Sequence, residues 1–232
     1  DGPVDFSGIP ELSDTANMLR LLEELGLEVT RPTDGVTRFR TIDPTAVHAR
    51  YDIVRTMRAS ICVLGPLLAR RGKAVVSMPG GCAFGSRPVD LHLRGLEALG
   101  AKITLDGGDI HCSADRLRGT TIFLGGPFGS TVLGTANIMS AATVAKGTTI
   151  IESAACEPEI ADLARLLNSM GAKIEGAGGP RLVIQGVDEL GPAVHQVMPD
   201  RIVAGTYAAA AAVTNGDVVI DDFPYDSLLA AV

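Results

Sequence analysis

The sequence contains no run of roughly 20 uncharged apolar residues, which is the length that a membrane-spanning helix requires. It has four cysteines and no CxxC pair, so it predicts neither a zinc site nor a disulfide framework, and reduced thiols are typical of the cytoplasm. Acidic and basic residues are interleaved at a net charge of −7, which disfavours a nucleic-acid partner. The 46% hydrophobic content is enough to bury one or two cores.

The chain contains an internal repeat. A helix-like segment that ends in glycine and is followed by a strand occurs at 21–29, 96–103 and 166–174. Its glycines, Gly26, Gly100 and Gly171, recur at intervals of 74 and 71 residues. A second helix–glycine–strand element is interleaved with the first, at 67–78, 143–153 and 212–222, with Gly72, Gly147 and Gly216. Glycine suits the left-handed residue that ends a helix, and the β-branched residues after it favour strand, so we predict a repeat-built α/β lobe.

The repeat also predicts where within a repeat unit the given sequence begins and stops. Residues 2–26 align with residues 147–171 without a gap, so the chain begins at the first strand of a unit. Residues 216–232 open a fourth unit and stop inside its first helix. We therefore expect the chain to be part of a longer array.

The second unit differs from the others by a glycine-rich loop, PGGCAFGSRPVD, at 79–90. Its glycine-to-glycine interval is four residues longer than in the first and third units, and insertions in repeat proteins often carry function. A thiol on such a loop beside an arginine is expected to be reactive, which makes Cys82, near Arg87, the candidate for chemistry. The alternative is a surface turn with an incidental cysteine. Cys62, Cys112 and Cys156 are interpreted as structural.

Two further features suit an anionic ligand. Arg58 precedes an apolar helix, and with Arg87 it offers two guanidinium groups for phosphate or carboxylate oxygens. The stretch GGPFGSTVLGT at 125–135 carries Ser130 and Thr131, whose hydroxyls could bind a diphosphate. Ordinary surface arginines and an ordinary loop remain the alternatives. The scattered histidines, His48, His92, His111 and His195, show no metal-ligand spacing and are interpreted as structural.

Nearly the whole chain resembles the UDP-N-acetylglucosamine enolpyruvyl transferases, also called 1-carboxyvinyltransferases. The resemblance is carried by MRAS (57–60) with PGGCAFGSRPVDLH (79–92), and it extends through 139–174 and 198–216. It implies transfer of the enolpyruvyl group of phosphoenolpyruvate to the 3-hydroxyl of UDP-N-acetylglucosamine, on the path to peptidoglycan, with no metal or organic cofactor. It also implies an α/β fold, an inside-out α/β barrel lobe built from βαβαββ-type units. The first lobe, with three repeats and the catalytic loop, is expected at 1–198, and a hinge with the start of a second, truncated lobe at 199–232.

The resemblance assigns roles to individual residues. Cys82 matches the loop cysteine that acts as general acid to the phosphoenolpyruvate methylene and is the target of fosfomycin. Arg87 and Arg58 match substrate-binding arginines. The uridine-binding segment matches Pro88, Val89, Asp90 and Leu91. The diphosphate-contacting loop matches Gly129, Ser130, Thr131 and Val132.

Departures from the family pattern qualify these expectations. The family's N-terminal Lys-Asn pair and its second half are absent, so the chain by itself is expected to be inactive. Val203 stands where the family has Glu, which puts a hinge contact in doubt. A non-catalytic UDP-sugar-binding module and a purely structural repeat protein remain alternatives. The shikimate-pathway transferases share the fold but lack the cysteine loop, which argues against that activity.

Overall fold

The computed structural model describes residues 2–31, 35–78, 89–127 and 129–229. Its α-helices are α1 (Ser13–Glu24), α2 (Tyr51–Val54), α3 (Leu64–Arg71), α4 (Asp90–Ala98), α5 (Val132–Ala142), α6 (Pro158–Ser169) and α7 (Arg201–Thr214). Two short 3₁₀ helices occupy Arg58–Val63 and Tyr225–Ser227. The strands are β1 (Val4–Ser7), β2 (Leu27–Thr30), β3 (Val36–Thr41), β4 (His48–Ala49), β5 (Lys73–Ser77), β6 (Lys102–Asp106), β7 (Asp109–Ser113), β8 (Thr121–Phe123), β9 (Thr148–Glu152), β10 (Lys173–Glu175), β11 (Arg181–Gln185) and β12 (Ala193–Gln196).

The strands form three four-stranded sheets of identical topology. Their strand orders are β12-β1-β3-β2, β4-β5-β7-β6 and β8-β9-β11-β10. In each sheet the first pair is parallel and the other two pairs are antiparallel. Within the described residues no strand is shared between sheets, so the strands close no barrel. The predicted βαβαββ order is confirmed by the second and third sheets, with α3 and α4 in one and α5 and α6 in the other.

The first sheet is completed from the far end of the described chain. Strand β12 pairs in parallel with β1, in the register Val4 to Ala193. This is the relation that β4 has to β5 and β8 has to β9. Strands β1 and β12 therefore belong to one sheet although most of the chain separates them in sequence.

The predicted helix ends are confirmed at five of the six glycines. Gly26, Gly72, Gly100, Gly147 and Gly171 all have a positive φ, between 68° and 100°. At the sixth position the prediction was wrong, because Asn215 (φ 50°) takes the left-handed conformation and ends α7 in place of Gly216.

The strand predicted at 217–222 is also wrong. The structure contains no strand there, and Val218 and Val219 are exposed. The corresponding strands, β5 and β9, each lie between two partners that satisfy their backbone groups. No described strand pairs with 217–222, so a favourable local propensity has no hydrogen-bonding partner.

Helices α3, α4 and α5 pack together at the centre of the core. Helix α5 is almost entirely buried, and its small and apolar residues let α3 and α4 approach closely. At Gly95 in α4, an added Cβ would lie 2.6 Å from Ile138 of α5. This packing brings the first turn of α4 close to the loop before α5. In the described part of the chain, no helix has both the length and the apolar character that crossing a membrane demands.

Candidate active site

The loop that carries Cys82, Arg87 and Pro88 lies outside the described residues, but both of its flanks are described. Before the loop, Ser77 ends β5, and its hydroxyl donates to Asp109 Oδ1 of β7 at 2.6 Å. After the loop, Val89 is buried, with 5% of its surface exposed. The described residue before the loop therefore belongs to a sheet, and the described residue after it belongs to the core.

Helix α4 begins immediately after that buried anchor. Asp90 is exposed in its first turn, and Leu91 is half-buried. The Leu91 side chain lies against the loop before α5, since a methyl group built on Gly126 would be 3.3 Å from Leu91 Cδ1. One turn later, Arg94 Nη2 donates to the carbonyl oxygens of Phe123 (2.8 Å) and Gly125 (3.1 Å). These contacts fix the first two turns of α4 against residues 123–126.

The loop before α5 turns back on itself. Gly126 and Gly129 exchange two backbone hydrogen bonds, of 2.8 and 3.1 Å, and Gly129 has a φ of +96°. Thr131 then caps α5, its Oγ1 accepting from Gly134 N at 3.2 Å. Ser130 is exposed beside the cap, and Val132 is the first helical residue. The start of a helix favours negative charge, so this turn is chemically suited to phosphate oxygens.

Arg58 lies near enough to the start of α4 for its charge to affect that helix. It is the first residue of a 3₁₀ helix, is half-buried, and interacts with at least one other residue. After burial, its positive charge is the next cause that lowers the pKa of His92, the third residue of α4. The predicted residues Arg58, Asp90 and Leu91 are thus grouped around the start of α4, and Leu91 in turn meets the turn that leads to Ser130.

A buried polar network lies under this group, and sequence reasoning missed it as a unit. His92 is 2% exposed, and its Nδ1 lies 2.9 Å from Asn137 Nδ2. Burial lowers the His92 pKa to about 4, with the Arg58 charge as the next cause and Asp90 acting in the opposite direction. Asn137 in the otherwise apolar segment ANIMSAA was the available signal, because a buried amide requires partners.

Two of the three described cysteines are buried in the core and poorly suited to thiolate chemistry. Burial raises the pKa of Cys62 to about 11. Burial, with a smaller effect of Glu97, raises the pKa of Cys112 to about 12. Cys156 is an exposed free thiol just before α6. Among the described residues, no group of three or more His, Cys, Asp or Glu is placed to hold a metal ion.

Comparison with known proteins gives consistent matches along the chain. The family model for EPSP synthase (3-phosphoshikimate 1-carboxyvinyltransferase) matches residues 1–232. A UDP-N-acetylglucosamine 1-carboxyvinyltransferase of Methylacidiphilum infernorum is 52% identical over 222 residues, covering 95% of this chain and 52% of that protein. A relative of the same description from Coxiella burnetii is 52% identical over 224 residues, covering 96% of this chain and 51% of that protein. The chain therefore spans about half the length of the curated relatives it matches.

Solved structures show the same fold. The enolpyruvyl transferase NikO from Streptomyces tendae superimposes with a TM-score of 0.76 at 23% identity, over 90% of this chain and 49% of that one. An EPSP synthase from Acinetobacter baumannii has a TM-score of 0.67 at 19% identity, over 89% of this chain and 46% of that one. The expected fold class, the enolpyruvyl transferase fold, is confirmed.

Proposed function

Because the chain belongs to the EPSP synthase family, we propose that it forms part of an enolpyruvyl transferase whose acceptor is UDP-N-acetylglucosamine. The observation that carries the proposal is the 52% identity, over 95% of the chain, to a relative described as a UDP-N-acetylglucosamine 1-carboxyvinyltransferase. In the proposed reaction the 3-hydroxyl oxygen bonds to the enolpyruvyl carbon of phosphoenolpyruvate, phosphate leaves, and the hydroxyl proton is released. The product is a peptidoglycan precursor.

In this proposal Cys82 delivers a proton to the phosphoenolpyruvate methylene as the 3-hydroxyl adds, and a proton is lost again from the resulting methyl group as phosphate leaves, which restores the double bond. Cys82 is also the residue that fosfomycin alkylates. Arg87 and Arg58 bind anionic oxygens of the substrates, since a guanidinium can form two parallel hydrogen bonds to phosphate or carboxylate. Pro88 and Val89–Leu91 hold the uridine.

The loop from Gly129 to Val132 is proposed to hold the diphosphate. The contact between Leu91 and Gly126 supports this division, because it puts the proposed uridine segment next to the turn that starts α5. Backbone N–H groups at that helix start would face the diphosphate, and the helix dipole favours its charge. The uridine and the diphosphate are bonded to each other in the acceptor, so the two proposed subsites need to be neighbours, as they are in this proposal.

The proposal includes three further points. The curated relatives are about twice as long as this chain, and a second lobe is proposed to complete the site over the substrates, with a hinge beginning near residue 199. Closure of two lobes would exclude water from the reaction. No metal or organic cofactor takes part. The reaction is placed in the cytoplasm, where thiols such as Cys82 stay reduced.

The acceptor is tested with the purified full-length gene product and phosphoenolpyruvate, by measuring phosphate release. Release with UDP-N-acetylglucosamine and not with shikimate 3-phosphate is expected. Release with shikimate 3-phosphate alone would overturn the proposed acceptor. Binding of UDP-N-acetylglucosamine by calorimetry without any phosphate release would instead favour the non-catalytic module.

The role of Cys82 is tested with fosfomycin and peptide mass spectrometry. A single adduct at Cys82 is expected, and Cys82→Ser should abolish both the adduct and phosphate release, because a serine hydroxyl forms no thiolate for alkylation and is a much weaker acid than the thiol that donates the proton. Cys156→Ser is the matched control, since that thiol is exposed, lies just before α6 and is not among the proposed site residues, and it should keep both properties. Adducts at Cys156 in the native protein would contradict the assignment.

A further inference from the structure

Asn137 is a buried amide at the meeting point of three helical elements. It is 1% exposed, in the middle of α5, with Ile138 and Met139 fully buried beside it. Its Oδ1 accepts from Gly65 N of α3 at 2.7 Å. Its Nδ2 donates to the Ile61 carbonyl oxygen at 2.8 Å and lies 2.9 Å from His92 Nδ1. Burying an amide costs folding free energy unless such hydrogen bonds are made. Each of these bonds therefore constrains the helix on which the partner of Asn137 lies.

The partners of Asn137 also determine the state of His92. The Gly65 N–H can only donate and the Ile61 carbonyl can only accept, so the orientation of the Asn137 amide is settled. Its remaining N–H points to His92 Nδ1, which must therefore accept. A neutral imidazole carries one proton, which is then on Nε2. The low pKa of His92, about 4, agrees with a neutral ring at pH 7.

We propose, on the basis of the function proposed above, that Asn137 and His92 are positioning residues for binding of the nucleotide sugar. The His92–Asn137 bond ties the first turn of α4, with Asp90 and Leu91, to α5, and the bond from Asn137 to the Ile61 carbonyl continues the link to the 3₁₀ helix that begins at Arg58. These two substrate-binding segments are thereby held at a fixed separation before substrate arrives, and such preorganisation lowers the cost of binding.

The close approach of the helices leaves little freedom for compensation. A Cβ added at Gly65 would lie 2.3 Å from the Asn137 carbonyl oxygen, so α3 and α5 are in backbone contact at the network. At Gly95 in α4, an added Cβ would instead meet the Ile138 side chain of α5, at 2.6 Å. Loss of the His92 bond would remove the inner restraint on the first turn of α4 and leave it held only by the Leu91 and Arg94 contacts with residues 123–126.

The test compares His92→Leu with His92→Asn in the full-length gene product. Leucine removes the acceptor, and KM for UDP-N-acetylglucosamine should rise about tenfold, because the binding segments lose preorganisation and about 1.4 kcal/mol corresponds to a tenfold change in affinity. The kcat should change less, because the segments bind the substrate in its ground state as well as in the transition state. Asparagine places its amide oxygen near the position of Nδ1 and should restore KM to within about threefold of the native value. A purely structural role would lower the melting temperature of His92→Leu and leave KM unchanged, which would overturn the proposal.

A second measurement does not depend on a variant that folds. ¹⁵N NMR of the native protein should show His92 as the Nε2–H tautomer at pH 7, and an Nδ1–H tautomer would overturn the proposed hydrogen bond. Assays of the native enzyme distinguish a failure of the proposed function from a failure of the positioning role alone. If it neither binds nor converts UDP-N-acetylglucosamine, the proposed function fails. If it does both and His92→Leu keeps its KM within twofold, only the positioning role fails.

Discussion

Burial decides the chemistry of the titratable side chains in the core. The same desolvation that raises the pKa of the Cys62 and Cys112 thiols lowers the pKa of the His92 imidazole, because each effect disfavours the charged form. At neutral pH all three groups are uncharged. Reactivity is therefore expected in groups outside this core, and Cys82 on its glycine-rich loop remains the predicted thiol for the chemistry.

His92 makes stability depend on pH. Its folded pKa of about 4 lies below the ordinary 6.5, so the unfolded chain binds a proton more readily. The free energy of unfolding should be highest above pH 6.5 and should fall between pH 6.5 and 4, by roughly 3 kcal/mol from this group. Urea unfolding at pH 7.5, 6 and 4.5 measures the slope.

His92→Asn should remove most of that slope, whereas His111→Gln, on strand β7, should keep it. The charged groups that act on His92 are Arg58 and Asp90. The lowered carboxyl pKa values of Asp5, bonded to Arg38, and of Asp43, bonded to Thr45, take effect below pH 3.8, outside this window. An unchanged slope in His92→Asn would contradict the assignment.

At the scale of elements, two glycines within helices differ in what surrounds them. In α3, a Cβ on Gly65 would meet the α5 backbone at 2.3 Å, whereas in α7 a Cβ on Gly205 would have its nearest neighbour, Leu228, at 3.7 Å. Gly65→Ala should therefore lower the free energy of unfolding by about 1–3 kcal/mol. Gly205→Ala should raise helix stability by up to about 1 kcal/mol. Thermal and urea unfolding of both variants gives the comparison, and equal effects would contradict the close α3–α5 contact.

Helix α7 offers a test of a capping interaction that is incomplete in this sequence. Asp200 Oδ1 accepts from the backbone N–H groups of Ile202 and Val203, at 2.9 and 3.0 Å, and Val203 is 43% exposed. Val203→Glu would complete a capping box and place a negative charge at the helix start, stabilising α7 by about 0.5 kcal/mol.

Val213→Glu is the matched control, because Val213 is also exposed but lies in the last turn of α7. There the same charge meets the negative end of the helix dipole and should destabilise it. Far-ultraviolet circular dichroism during thermal unfolding should resolve opposite signs for the two variants. Equal shifts would show that the position in the helix does not matter.

At the scale of the whole molecule, His195 joins parts of the chain that are distant in sequence. It lies on β12, its ring is 6.1 Å from the Phe6 ring of β1, and its Nε2 is 3.0 Å from Asp162 Oδ2 of α6. His195→Ala should lower the free energy of unfolding by about 1–2 kcal/mol and speed amide exchange in β1.

His48→Ala is the matched control for His195→Ala. His48 lies on β4, the equivalent strand of the second sheet, but its side chain is 48% exposed and its contact to Asp109 is 3.4 Å. His48→Ala should lower the free energy of unfolding by less than about 0.5 kcal/mol, since exposed ion pairs contribute little to stability. If His48→Ala speeds amide exchange in β5 more than His195→Ala speeds it in β1, the role assigned to His195 is contradicted.

Several features of this protein could be read from the sequence because they depend on neighbouring residues. Glycine after a helical segment predicted five left-handed helix ends correctly, since that conformation is a property of one residue and its turn. The regular spacing of these ends predicted the repeat, and the MRAS and PGGCAFGSRPVDLH motifs predicted the family. Arg58, Asp90 and Leu91 were proposed as site residues from those motifs, and Gly129–Val132 from the match of the glycine-rich stretch 125–135 to the family's diphosphate loop. Their proposed roles remain predictions.

The tertiary structure decided what depends on distant partners. Strand β1 pairs with β12, and residues 217–222 form no strand, because a strand needs a neighbour to satisfy its backbone hydrogen bonds. The contact of Leu91 with Gly126 and the bond of His92 to Asn137 likewise join segments that are separate in sequence. Local propensity and spacing therefore determined the elements and their order, whereas hydrogen-bond satisfaction and close packing between distant segments decided which elements meet.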